Sequence, residues 1–129
     1  MQIGTTSLLV DNQEKALQFY TELLGFNKKT DLMIGSDYRW LTVTASTAAG
    51  EVELLLQPMM FPEAKAYQET LYRVGSPFIA FRTANIQDDY ERLKAAGVIF
   101  RMEPTKMEQG MVSSFFEDGC GNIIHLYQL

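Results

Sequence analysis

Apolar and polar positions along this chain run through one succession of periodicities and then through a similar one again. From Ile3 to Val10 the residues alternate, with Thr5, Ser7 and Leu9 on one side and Thr6, Leu8 and Val10 on the other. That period of two predicts a strand. Asp11 followed by Glu14 predicts a helix start of the capping-box kind. Ala16, Leu17, Tyr20, Leu23 and Leu24 then recur at the spacing of one helical face. Gly25 stands where a left-handed cap ends a helix. Phe26 to Met33, Tyr38 to Ala45 and Glu51 to Gln57 predict three more strands, with turns at Gly35-Ser36-Asp37 and in the small-residue run Ser46 to Gly50. The result is a βαβββ module over about residues 1–58.

A linker helix is predicted over about residues 61–74, opened by Pro62 and with Ala64, Tyr67, Leu71 and Val74 on one face. The second module, about 75–129, repeats the first. Phe78 to Arg82 is its first strand, Asn85 caps a helix bearing Ile86, Tyr90 and Leu93, and Gly97 ends it. Val98 to Met102, Met111 to Phe116 and Asn122 to Gln128 are its other strands, with a tight turn at Asp118-Gly119-Cys120-Gly121-Asn122. Asn12 lies over Asn85 at an offset of 73 and Gly25 over Gly97 at 72, a slip of one residue. Each copy of such a repeat leaves an apolar face for the other to cover, which directs the search for a site to the cleft between them.

Composition narrows the function classes. The 129 residues make one domain able to bury a sizeable core, and 47% hydrophobic content argues against disorder. Eleven basic against sixteen acidic residues give a net charge of -5. With Lys28-Lys29 the one adjacent basic pair, nucleic acid is not an expected partner. A single cysteine rules out an internal disulfide and fits a reducing compartment. No signal peptide or membrane-length apolar run is read from the sequence, so a cytoplasmic location is expected.

Two motifs then meet. Val10-Asp11, Ala16-Leu17-Gln18-Phe19-Tyr20 and Leu24-Gly25-Phe26 resemble the opening of the vicinal oxygen chelate superfamily, the group of glyoxalase I, bleomycin and fosfomycin resistance proteins and extradiol dioxygenases. Phe116-Glu117-Asp118-Gly119-Cys120-Gly121-Asn122 with Ile124-His125-Leu126 resembles its closing turn and last strand. The resemblance spans nearly the whole chain. It implies an α+β fold in which two βαβββ modules form a cup-shaped curved sheet, usually within a homodimer. In metal-using members four face positions supply ligands, and these fall here on Thr5, Glu53, Phe78 and His125. Thr5 stands where histidine is usual, Phe78 replaces histidine or glutamate, and His125 takes a place generally held by glutamate. The turn departs as well, with Gly119 for proline and Cys120 for aspartate.

A first-row metal normally takes three or four suitable protein ligands. No cofactor is therefore expected, and a divalent metal, if bound, would rest on Glu53 and His125. Extradiol cleavage, which needs two histidines and a carboxylate, does not fit a chain with one histidine.

His125, on a face with Ile123 and Tyr127, is the leading group for proton transfer. Its bland reading is a part-buried imidazole satisfied by a neighbouring hydroxyl or backbone group. Glu53, on the parity of Leu55 and Gln57, is placed on the cup face, against the bland reading of a solvated charge. The two occupy corresponding places in the modules and are expected to form an acid–base pair. Thr5, Trp40, Phe78, Arg82, Met111 and Tyr127 are the expected ligand-binding residues, with Tyr38 and Phe115 or Phe116 beside them. Core packing is the ordinary fate of such aromatics, a surface salt bridge that of Arg82, and exposure in a turn that of Cys120. Ser113-Ser114 lacks a nucleophile-elbow context.

Three functions remain. The adopted reading is a small-molecule-binding protein of the bleomycin-resistance type, taking an apolar or cationic ligand. The alternative is a glyoxalase-like lyase or isomerase using a metal or the Glu53–His125 pair. The third is a protein-interaction module with a vestigial pocket.

Overall fold

Strand β1 (Thr5–Val10) is shorter than the alternation from Ile3 predicts. Pairing with β4 (Glu53–Pro58) begins with Thr5 beside Glu53, and Ile3 stays in solvent. The computed structural model describes residues 1–45 and 51–129, so the predicted turn from Ser46 to Gly50 lies outside the described residues. The chain divides into two units, residues 1–65 and 66–129. Each is α+β, with one four-stranded mixed sheet that is not closed.

In the first unit the strand order is β1-β4-β3-β2, with β2 at Asn27–Ile34 and β3 at Tyr38–Thr44. β1 and β4 run parallel, and the other pairs are antiparallel. Strand parity puts Leu8, Val10, Leu41, Val43, Leu54 and Leu56 on one face, all at most 6% exposed. Helix α1 (Gln13–Gln18) covers that face with Ala16 and, just beyond it, Tyr20, both fully buried. Arg39, on the same parity, fixes the helix there. It donates to Glu14 Oε2 (2.8 Å) and, bidentately, to Asp31 (2.8 and 2.9 Å). Burial of each large apolar side chain stabilises by roughly 1.5–3 kcal/mol, so this packing outweighs the half-exposed ion pairs around it.

The helix start differs from the expectation. The cap is Asn12, whose side chain accepts from Lys15 N (2.9 Å), while Glu14 is drawn to Arg39 and Asp11 to Lys15 Nζ (3.0 Å). A side chain already committed to an arginine is not free to close a capping box. The helix end explains the slip in the repeat. Residues Phe19–Leu23 form a π-helical turn, and Leu24 N donates to Phe19 O (3.2 Å). Phe26 N then closes on Tyr20 O (2.9 Å), six residues back, where its counterpart Val98 N closes on Leu93 O (3.0 Å), five back. A π turn takes up one extra residue, so Gly25 and Gly97, at φ 78 and 94, can both cap. Tyr20 and Leu93 stay in core positions, each at most 2% exposed.

Helix α2 (Pro62–Val74) starts at the predicted proline but turns a different face inward. Ala64 and Gln68 are buried, whereas Tyr67 and Val74 are 56% and 61% exposed. Gln68 is chosen because its Nε2 donates to Cys120 O and Asn122 Oδ1, both at 3.1 Å. In the turn below, Asp118 Oδ1 accepts from Cys120 N (2.7 Å) and Asn122 N (3.1 Å). Cys120 is therefore fully buried and not exposed as a turn position suggested. Gly121, at φ 98, is required twice over, since a Cβ there would lie 2.6 Å from Gln68 Oε1.

The second unit repeats the topology as β5-β8-β7-β6, with β5 at Ile79–Arg82, β6 at Phe100–Lys106, β7 at Val112–Glu117 and β8 at Ile123–Gln128. Asn85 caps helix α3 (Ile86–Ala95) as expected. Ile86 N donates to Gln128 Oε1 (2.7 Å), which sets the helix on the face of Ile124 and Leu126. Strand β6 runs past its predicted end at Met102 through Pro104, because it is the sheet edge and its register shifts between Met102 and Thr105.

Candidate functional site

With the helices on one face of each sheet, the other face carries the predicted site residues. In the first unit that face presents Thr5 and Ser7 on β1, Glu53, Leu55 and Gln57 on β4, Trp40, Thr42 and Thr44 on β3, and Thr30 and Leu32 on β2. The Glu53 side chain is half-buried. Its Oε1 accepts from Thr42 Oγ1 at 2.6 Å and Thr30 Oγ1 at 3.3 Å. Hydrogen bonds to a charged acceptor contribute roughly 1.5–3 kcal/mol each when well formed, and the Thr42 contact has the better length. Trp40 is half-buried with its ring 6.4 Å from that of Tyr38, and Thr5 is exposed.

In the second unit the helix-free face carries His125 and Tyr127 on β8, Ser113, Phe115 and Glu117 on β7, and Ala80 and Arg82 on β5. His125 Nε2 shares a hydrogen bond of 2.9 Å with Ser113 Oγ, and Ser113 is 1% exposed. The imidazole sits between two rings, Phe115 at 5.1 Å and Tyr127 at 5.5 Å between centroids. Burial lowers the His125 pKa below its ordinary 6.5, which favours the neutral ring at pH 7. Glu117 closes one end of the face. Burial works against its charge, but hydrogen bonds from Tyr72 (2.7 Å) and Arg101 (2.8 Å) outweigh that and hold its carboxyl below the usual range.

Other predicted residues fall into place less completely. Phe78 lies just before β5, on the parity of Ala80, and packs edge-on against Tyr67 at 5.8 Å. The strand neighbour of His125 is Ala80. Met111 lies one residue before β7, half-buried, and Phe115 faces His125 while Phe116 is core. Arg82 sits beside Tyr127, exposed, and has no ion pair among the described residues, contrary to the surface salt bridge expected for it. Thr30, Thr42 and Ser113 were not expected. The register of β2 on β3, of β3 on β4 and of β7 on β8 brings them to Glu53 and His125.

As for a metal, among the described residues no three His, Cys, Asp or Glu side chains come together. Glu53 is held by hydroxyls and His125 by Ser113, flanked by aromatic rings. This donor set does not fit the three or four ligands of a first-row metal centre.

Residues 2–126 match the sequence model of the Glyoxalase/Bleomycin resistance protein/Dioxygenase superfamily. The chain belongs to this superfamily. It is 44% identical over 128 residues to the uncharacterized protein YurT of Bacillus subtilis (strain 168), covering 99% of each chain. Among solved structures of similar fold, UcmS2 is 30% identical, with 98% of this chain and 97% of that one covered and a TM-score of 0.83. TnmS3, an antibiotic binding protein from Streptomyces sp. CB03234, is 28% identical, with 99% and 95% covered and a TM-score of 0.74. Among the described residues no helix is long and apolar enough to cross a membrane.

Proposed function

We propose that this chain is a small-molecule-binding member of its superfamily, cytoplasmic and homodimeric, that takes an apolar or cationic ligand on its helix-free sheet faces without a resident metal. The observation that carries this reading is the company of the two best metal-binding side chains, each of which stands among hydroxyls and aromatic rings instead of further ligand types. Glu53 accepts from Thr42 and Thr30, and His125 bonds Ser113 between Phe115 and Tyr127. Half-buried aromatic walls with a few fixed polar groups are what a small-molecule site needs. The likeness to TnmS3, which is described as antibiotic-binding, points the same way.

Two measurements test it on protein purified without chelator. Metal analysis is expected to give less than one equivalent of nickel, zinc, manganese or iron. A thermal-shift screen of metals and small organic compounds is expected to find stabilisation by organic compounds and none by metals. A ligand at a hundredfold its Kd adds roughly 2.7 kcal/mol, a rise on the order of 10 °C for a chain of this size. Stoichiometric metal that is lost in His125→Ala overturns the reading.

A second reading, a lyase or isomerase using Glu53 and His125 as an acid–base pair, is favoured by one observation. Burial lowers the His125 pKa, so the ring is held in its basic form.

A further inference from the structure

The two oxygens of Glu53 are not equivalent. Oε1 takes both threonine hydroxyls, whereas among the described residues nothing donates to Oε2 and no Lys or Arg pairs with either oxygen. Glu53 is half-buried, and no buried side-chain oxygen or nitrogen among the described residues is without a partner, so Oε2 is open to solvent. The clamp on Oε1 restrains the carboxylate and leaves Oε2 as an acceptor that a ligand's donor can reach. Its surroundings on this face are neutral hydroxyls, Thr5 and Ser7, both exposed.

Apolar surface stands close by. By register Glu53 lies opposite Thr44, yet it bonds Thr42, so the carboxylate leans along β3 toward Trp40. Trp40 is one same-face step further, about 7 Å along an extended strand. It is half-buried, and its β2 partner Leu32 is 49% exposed. An anionic acceptor one small-molecule length from an indole is the chemistry that recognises an organic cation, by a charge-assisted hydrogen bond at one end and ring contact at the other. The net charge of -5 favours the approach of such a ligand.

We propose that the helix-free face of the first unit binds ammonium compounds with an apolar or aromatic body. Glu53 Oε2 accepts the ammonium N–H, and Trp40 and Leu32 pack the body. This rests on the ligand-binding reading above and assigns its ligand class.

The test uses a matched pair of probes, 2-phenylethylammonium chloride and 2-phenylethanol, titrated into the unaltered protein at pH 7. Trp40, the one tryptophan of the chain, reports by fluorescence, and the amides of Thr30 and Thr42 report by NMR. The ammonium is expected to bind in the millimolar range that so few atoms allow, and the alcohol about tenfold more weakly or not at all. Glu53→Gln, which keeps shape and acceptor, is expected to reduce the ammonium to the level of the alcohol. Equal binding of the two probes, no response of Trp40 and Thr42 to the ammonium, or an unchanged affinity in Glu53→Gln overturns the proposal. The probe comparison needs no variant to fold. If instead a neutral compound from the thermal-shift screen binds the unaltered protein and Glu53→Gln alike, the ammonium assignment fails and the binding reading stands.

Discussion

The ring of His125 shows how one side chain ties environment to pH. Burial lowers its pKa in the native state, whereas in the unfolded chain it titrates near 6.5. As pH falls through 6.5 the unfolded state takes the proton first, so stability declines until the lower native value is reached and then levels off. Urea denaturation between pH 8 and 5 is expected to show that decline, and His125→Gln to remove it. Proton titration of His125 by NMR gives the native midpoint directly, expected below 6.5. Repeating it in Glu53→Gln decides the acid–base pairing, because an unmoved midpoint rules it out. The strand face on which His125 stands was legible from alternation, and that of Glu53 from alternation together with the family resemblance. Their partners Ser113 and Thr42 were not, since a polar residue on the neighbouring strand is placed only by register, which depends on pairings far apart in sequence.

Among the elements, the two helix starts invite comparison. Asn85 was legible as a cap, and the repeat itself lays Asn12 over it, yet Asp11 with Glu14 offered a competing pattern that the fold resolves in favour of Asn12. Asn12→Ala is expected to cost about 1 kcal/mol. Asp11→Ala, which loses only a half-exposed pair with Lys15, is expected to cost less than about 0.5 kcal/mol. Urea midpoints of the two variants check the order, and equal losses would return the cap to Asp11. Helix α2 carries the opposite lesson. Its existence and its start at Pro62 were legible, but hydrophobic spacing chose Tyr67 and Val74 where the fold buries Gln68. A glutamine that satisfies a buried turn carbonyl and an asparagine outweighs an exposed tyrosine, and no periodicity encodes that turn.

For the molecule as a whole, duplication was the most legible feature, since both sheets carry the same strand order. The ligand was the least, because a shared fold does not determine what is bound. Neither sheet is closed, and edge strand β2 keeps Leu32, Met33 and Ile34 about half exposed, at 49%, 55% and 52%. Open apolar edges promote association, while a net charge of -5 opposes it without selectivity. The homodimer proposed above is checked by sedimentation equilibrium at micromolar concentration, where twice the 14.6 kDa chain mass is expected. A monomer throughout that range removes the dimer.

The π turn at Phe19–Leu23 also marks where chain length can vary at little cost. Five positions separate Tyr20 from Gly25 and four separate Leu93 from Gly97, yet both glycines take the capping conformation and both core side chains stay buried. A residue added between the last buried helix position and the cap is absorbed as a bulge, and the strand that follows keeps its place.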